Sequence, residues 1–301
     1  MSLLVTGTIG IDTVETPGRR VEDVLGGSAA YFAFAAALIT PVRLVGVVGG
    51  DFPQAFRDTF NGRPIDTAGL ETRPGSKTFR WHGKYLDDMN QRESISTDLN
   101  VIAEDPPEIP EQFRDSDYVF LANTHPAIQR GFIDQLTGPK LIVCDTMDLW
   151  INTARDELLD TLARVHGVVL NDSEARLLTD RDNLVLAGRQ ILEAGPQFVV
   201  IKKGEHGAML VARDDIFILP AYPAANVKDP TGAGDSFGGG MMGHLAGLDQ
   251  TGFNAMRSSL AYGTCVASIT IEDFSLDALR AADRSKLEAR LAEFKALTVF
   301  E

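Results

Sequence analysis

Short apolar runs alternate along most of the chain with stretches whose apolar residues recur at helical spacing. Residues 3–9, 42–48, 118–122, 141–145, 165–170 and 198–202 read as strands. Between them, residues 25–39, 127–136, 153–162 and 184–194 read as helices. Repeated strand–helix units of this kind predict an α/β fold with a central, mostly parallel β-sheet flanked by helices. Such sheets bind ligands beyond the C-terminal ends of their strands.

Two segments break the alternation. Residues 11–24 carry a Pro17-Gly18 turn between short extended pieces, and residues 76–101 form a longer extended region. In the second, Phe79, Trp81 and Tyr85 alternate with Arg80, His82 and Lys84, which gives a strand one aromatic and one cationic face. The expected division is therefore a core of residues 1–10, 25–75 and 102–301 and a separate small sheet of residues 11–24 and 76–101. Two readings of the aromatic face stay open. It packs on the core, or its rings cover a bound ligand and exclude water.

Composition narrows the function classes. A chain of 301 residues that is 44% hydrophobic can bury a sizeable core. Its formal net charge of −14 argues against a general nucleic-acid binder, which needs a basic face. A small anion held by local N–H groups and a metal ion is still compatible with that charge. Cys144 and Cys265 lie in apolar runs and read as buried thiols in a reducing cytoplasm. Neither a secretory leader nor an apolar run of membrane-spanning length is visible, so secretion and a membrane partner are not expected. Five scattered histidines lack zinc-ligand spacing, and no Gly-x4-Gly-Lys-Ser/Thr loop occurs. Gly238, Gly240 and Gly243 match a dinucleotide fingerprint in form only, since they fall inside a helical stretch.

The chemistry concentrates in Asp229-Pro230-Thr231-Gly232-Ala233-Gly234-Asp235-Ser236-Phe237. Gly232, Ala233 and Gly234 let backbone N–H groups converge on one small volume, and residues 236–248 continue as a helix whose N-terminus faces it. A carboxylate beside an anion cradle makes sense where an acceptor hydroxyl must lose a proton, which makes Asp235 the candidate general base. Asn171 and Glu174, following a strand at i, i+3 spacing, read either as a helix cap or as oxygen donors near a phosphate-bound Mg2+.

This string resembles the C-terminal signature of the ribokinase (PfkB) family of carbohydrate and nucleoside kinases. Leu25-Gly26-Gly27-Ser28-Ala29-Ala30, Asn171-Asp172-Ser173-Glu174 and Lys203-Gly204-Glu205-His206-Gly207-Ala208 fall in the family's order. The resemblance implies a ribokinase-like fold with a small β-sheet lid and an ATP-dependent, magnesium-requiring kinase. It implies that Asp12, Gly26 and Gly27 hold the acceptor and that Asn171 and Glu174 organise Mg2+ through water; on the ligand-covering reading of the aromatic face, Trp81 is a ring that meets the acceptor. Lys202 and Lys203 read either as a solvated pair at a strand end or as contacts to nucleotide phosphates. Gly204, Gly207 and Thr231 would then meet the nucleotide, and Asp229 with Thr231 would lie in a strip that binds potassium in some relatives. Tyr31 stands where many members place an acceptor-binding Asn, and Pro53-Gln54 replaces a usual Gly after Gly50-Asp51. Both departures lie in the acceptor half. The expected reaction is phosphoryl transfer to a hydroxyl of a sugar or sugar-like alcohol, with a nucleoside kinase as the alternative. A non-catalytic sensor is a third reading, and Asp235 speaks against it because a sensor needs no base. The chain would act as a monomer or as a homodimer through the lid.

Overall fold

The computed structural model describes residues 1–299. Its strands in chain order are β1 (Leu3–Thr6), β2 (Gly10–Thr16), β3 (Arg19–Gly26), β4 (Val42–Gly49), β5 (Ile65–Arg73), β6 (Phe79–Tyr85) and β7 (Arg92–Asp98). They continue as β8 (Tyr118–Leu121), β9 (Leu141–Asp145), β10 (Gly167–Asn171), β11 (Phe198–Lys202), β12 (Ala208–Ala212) and β13 (Ile216–Leu219). Nine of them form one sheet in the order β13-β12-β11-β10-β9-β8-β1-β4-β5. Pairing is parallel from β11 to β5 and antiparallel at β11-β12 and β12-β13. The remaining four form a second sheet ordered β3-β2-β6-β7. In it β2 pairs antiparallel with β3 and parallel with β6, and β6 pairs antiparallel with β7.

Alternate residues of the large sheet feed two cores, with Leu3 and Val5 on one face and Leu4 on the other. The helices Ser28–Ala36, Ala233–Leu248 and Phe253–Thr270 cover the first face. Their mutual approach explains the glycine run that imitates a dinucleotide motif. A Cβ on Gly239 would lie 2.4 Å from Phe32 O, and one on Gly240 would lie 2.8 Å from Tyr262 O, so these glycines permit backbone-to-backbone packing.

Several element bounds differ from the expectation. The helix expected from residue 25 begins at Ser28, because Leu25 and Gly26 complete β3 against Ile11 and Gly10. The helix expected over 153–162 is Arg155–Leu162, and a separate helix, Asp148–Thr153, precedes it. Both cysteines are buried free thiols. No helix among the described residues is long and apolar enough to cross a membrane.

On β6 the alternation holds. Tyr85 is buried with Val14 and Phe274, with Trp81 packed beside them. Outside, Arg80 donates to Asp23 at 2.6 Å, and His82 Nε2 lies 2.9 Å from Glu15 Oε1.

Candidate active site

The signature string begins ten residues beyond β13 and turns into the helix Ala233–Leu248 at its N-terminus. Gly232 caps that helix in a left-handed conformation, with φ of +72°. A Cβ at Gly232 would also lie 2.2 Å from the Tyr31 ring, so glycine is required there by conformation and by space. The helix starts at Ala233, earlier than expected, which puts Asp235 inside the first turn near the positive end of the macrodipole. Of the three amides expected to line the anion hole, that of Ala233 closes the turn onto Pro230 O at 3.1 Å. The first intrahelical bond runs from Ser236 N–H to Gly232 O at 2.8 Å, so the Gly234 amide belongs to the unsatisfied helix end.

Carboxylates converge on this helix end. Asp235 is half-buried, and burial raises its pKa, while the charges of Lys202 and then Arg92 draw it down. Asp12, on β2, is 3% exposed and its Oδ1 has no partner. Burial, reinforced by the charge of Asp229, pushes Asp12 up to about 8, with the Gly27 amide acting against the shift. A Cβ on Gly26 would lie 1.8 Å from Asp12 Oδ2, so Gly26 leaves room for this carboxylate. Asp229 has both oxygens engaged: Oδ1 accepts from Thr231 N–H at 2.9 Å and Oδ2 from Ser275 N–H at 3.2 Å. It fixes the start of the cradle. Tyr31 is 1% exposed, with a hydroxyl that has no partner. Burial and the neighbouring Asp229 charge raise its pKa well above the ordinary value.

Asn171 ends β10 and forms a capping box with Glu174. Glu174 N–H donates to Asn171 Oδ1 at 2.8 Å, and Asn171 N–H donates to Glu174 Oε2 at 2.7 Å. The cap is thus realised, and Glu174 keeps its other oxygen for further contact. Burial raises the Glu174 pKa, and Lys202 opposes this.

Asp145 is a site residue that the sequence did not single out, and Lys202 was read there only beside Lys203, as a solvated pair or as phosphate contacts. Asp145 ends β9, is 4% exposed and has an unpartnered Oδ1. Burial first, and the Asp235 charge second, hold its carboxyl well above the usual range. Lys202 ends β11 in register with Asn171, and its Nζ would lie 2.7 Å from a Cβ on Gly234. The available signal was a charged or amide residue closing each of three consecutive apolar strands, at Asp145, Asn171 and Lys202. Lys203, by contrast, starts a tight turn, donating its N–H to Gly207 O at 2.7 Å, with Gly204 and Gly207 both at positive φ. Asn90, beyond β6, reaches this turn by donating to Glu205 at 3.3 Å.

From the small sheet, Thr231 Oγ1 donates to Tyr85 Oη, and the Arg92 guanidinium lies 5.7 Å from the Trp81 ring centroid. The Trp81 indole covers Gly83 and donates to Ser94 Oγ at 3.1 Å. A cleft of about 740 Å³ is lined by Leu99, Ile102, Glu104, Thr124, His125 and Trp150 among others. Trp150 Nε1 donates to Asn123 Oδ1 at 2.9 Å, and Ser28 Oγ donates to Asn123 O at 3.3 Å, which ties this cleft to the Gly26-Gly27 corner. Among the described residues no three His, Cys, Asp or Glu side chains form a ready metal cage.

The family model of the pfkB family carbohydrate kinases matches residues 4–280. The cytidine kinase of Thermococcus kodakarensis is 30% identical over 247 residues, which cover 80% of this chain and 87% of that protein. Among solved structures, the nucleoside kinase of Burkholderia thailandensis in complex with inosine superposes with a TM-score of 0.74 at 19% identity, covering 98% of this chain and 99% of that one. Aminoimidazole riboside kinase from Salmonella enterica, complexed with aminoimidazole riboside and an ATP analog, gives a TM-score of 0.75 at 18% identity, covering 97% and 100%.

Proposed function

The chain belongs to the pfkB family of carbohydrate kinases and is a phosphotransferase acting on a hydroxyl, and we propose that this hydroxyl is carried by a nucleoside and that the donor is ATP with Mg2+. One observation carries the reading. Asp235 stands in the first turn of a helix that opens on a glycine cradle, with the buried Asp12 carboxyl, whose Oδ1 has no partner, close enough to feel its charge. Asp12 and the Gly26-Gly27 corner would hold the vicinal hydroxyls of the acceptor. Asp235 would accept the acceptor's proton while the new O–P bond forms and the bond from phosphorus to the ADP oxygen breaks, with the electron pair leaving on ADP. The Gly234 amide and the helix end would stabilise the negative charge of the group in transit.

A sugar acceptor led when only the sequence was read; a nucleoside is favoured here. The relatives named above act on or bind ribosides. The cleft linked to the Gly26-Gly27 corner through Asn123, lined by Trp150, Ile102 and Ile128 together with Glu104, Asp105 and His125, offers an aromatic face and polar groups to a planar base with polar edges.

The donor set fits Mg2+ as an outer-shell partner. It offers only oxygens near the cradle, the free oxygen of Glu174 and the unpartnered Oδ1 of Asp145, and has no cage of its own. When bound, the ion would neutralise the phosphates. The small sheet would act as a lid, closing Tyr85 and Arg92 over the cradle and excluding water.

A panel of nucleosides, pentoses, hexoses, sugar phosphates and inositols with Mg-ATP, read by product mass, tests this. The panel is run with and without potassium, because Asp229 and Thr231 lie in the strip that resembles a monovalent-cation site. Nucleoside monophosphate is the expected product. A phosphosugar alone would move the assignment to a sugar kinase, and no product with any acceptor would favour a sensor.

A further inference from the structure

Lys202 is the one ammonium among the residues that crowd the cradle, and the glycine signature does not account for it. It closes β11, in register with Asn171 on β10, which extends its side chain over the strand ends toward the helix Ala233–Leu248. Its Nζ rests against the second residue of that helix, at the spot a Cβ of Gly234 would crowd to 2.7 Å. Asp145, Glu174 and Asp235 all feel its charge, yet among the described residues it closes an ion pair with none of them. A lysine needed only to neutralise a buried acid would be expected to touch it, because Coulomb attraction gains most at contact. This one instead stops at the helix end, where a ligand's negative charge is stabilised.

We propose that Lys202 is a catalytic residue that contacts the γ-phosphoryl oxygens of the nucleotide and follows the group as it moves from donor to acceptor. The inference rests on reading this crevice as a phosphoryl-transfer site. An ammonium is suited to the task, since it carries three rotatable donors on a flexible stem and can keep its contact while the phosphorus shifts. Gly234 is then glycine for two reasons, to free its amide and to leave room for Nζ. The other cation whose charge reaches Asp235, Arg92, is carried by the small sheet, so the migrating group would meet a lysine fixed on the large sheet and an arginine borne by the lid.

Binding reads the contact apart from turnover. Titration calorimetry of Lys202→Gln with Mg-ATP and with Mg-ADP, without acceptor, is expected to show ATP affinity reduced by roughly tenfold or more and ADP affinity nearly unchanged, the size of a lost charge-assisted hydrogen bond. Its kcat should fall and stay low on the pH plateau. If Lys202 only sets the ionisation of Asp235, Asp145 and Glu174, the acid limb of the pH–rate profile moves, the plateau kcat is recovered, and the ATP-to-ADP affinity ratio stays as in the wild type. That pattern overturns the proposal. Should Lys202→Gln fail to fold, amine labelling of the wild-type protein, read by mass spectrometry, supplies the same contrast: Mg-ATP is expected to protect Lys202 more than Mg-ADP, and equal protection overturns the contact. A wild-type protein that transfers nothing to any acceptor but shows ATP-selective protection would sink the kinase reading and still support the Lys202 contact.

Discussion

The Thr231 hydroxyl donates to the Tyr85 hydroxyl at 3.2 Å, joining the small sheet to the loop that begins the glycine turn. Both residues are buried, so the bond is shielded from water. Tyr85→Phe should cost about 1 kcal/mol in urea denaturation, because the Thr231 oxygen loses its partner. It should also raise ATP hydrolysis in the absence of acceptor, since a less firmly held lid admits water. Unchanged hydrolysis would separate this contact from closure.

Asp235→Asn should lower kcat by roughly 10² to 10⁴ while leaving ATP affinity close to that of the wild type, the effect of losing a general base. Single-turnover phosphoryl transfer measured beside nucleotide binding checks both halves. Full activity in this variant would assign proton removal to another group.

The pH dependence of stability should carry the mark of Asp12. Its pKa is 3.8 in the unfolded reference and about 8 in the folded protein. Between those values the native state holds a proton that the unfolded state has lost. The stability linked to this group is therefore complete below pH 4 and declines as pH rises toward 8, by at most about 1.4 kcal/mol per unit. Asp12→Asn removes the titration, so urea midpoints of the variant and the wild type should diverge in the variant's favour from pH 5 to pH 8. Parallel curves would mean that the carboxyl is ionised throughout.

Asn171→Ala opens one half of the capping box. A loss of about 1 kcal/mol is expected in thermal or urea unfolding, the usual cost of an N-cap. If Asn171 and Glu174 also guide Mg2+, the Mg2+ concentration for half-maximal rate should rise in Asn171→Ala. A pure cap would leave that concentration unmoved.

Legibility followed the range of the interactions. The apolar runs placed β8, β9 and β11 within a residue of their ends, because strands buried on both faces must be apolar throughout. The alternation in Phe79–Tyr85 gave the two faces of β6. The parallel pairing of β2 with β6 could not be read, since it depends on partners 69 residues apart, such as Gly10 and Phe79, finding one another. The start of the helix at Ser28 also came from tertiary context, where strand pairing overrides local preference.

What the sequence determined by itself was the local chemistry: glycines where a helix must open in a left-handed turn, an acid one residue beyond them, and an amide and a carboxylate spaced to cap a helix. These are near-neighbour constraints, and the order of residues states them directly. The tertiary structure alone decided which distant groups share the crevice. Asp145, Lys202, Asp12, Tyr31 and Tyr85 come together because parallel strands end on the same side of the sheet and a second sheet folds back over that edge. Burial among those ends, unlike spacing along the chain, is what shifts the carboxyl groups and leaves Asp12, Asp145 and Tyr31 with polar atoms that have no partner.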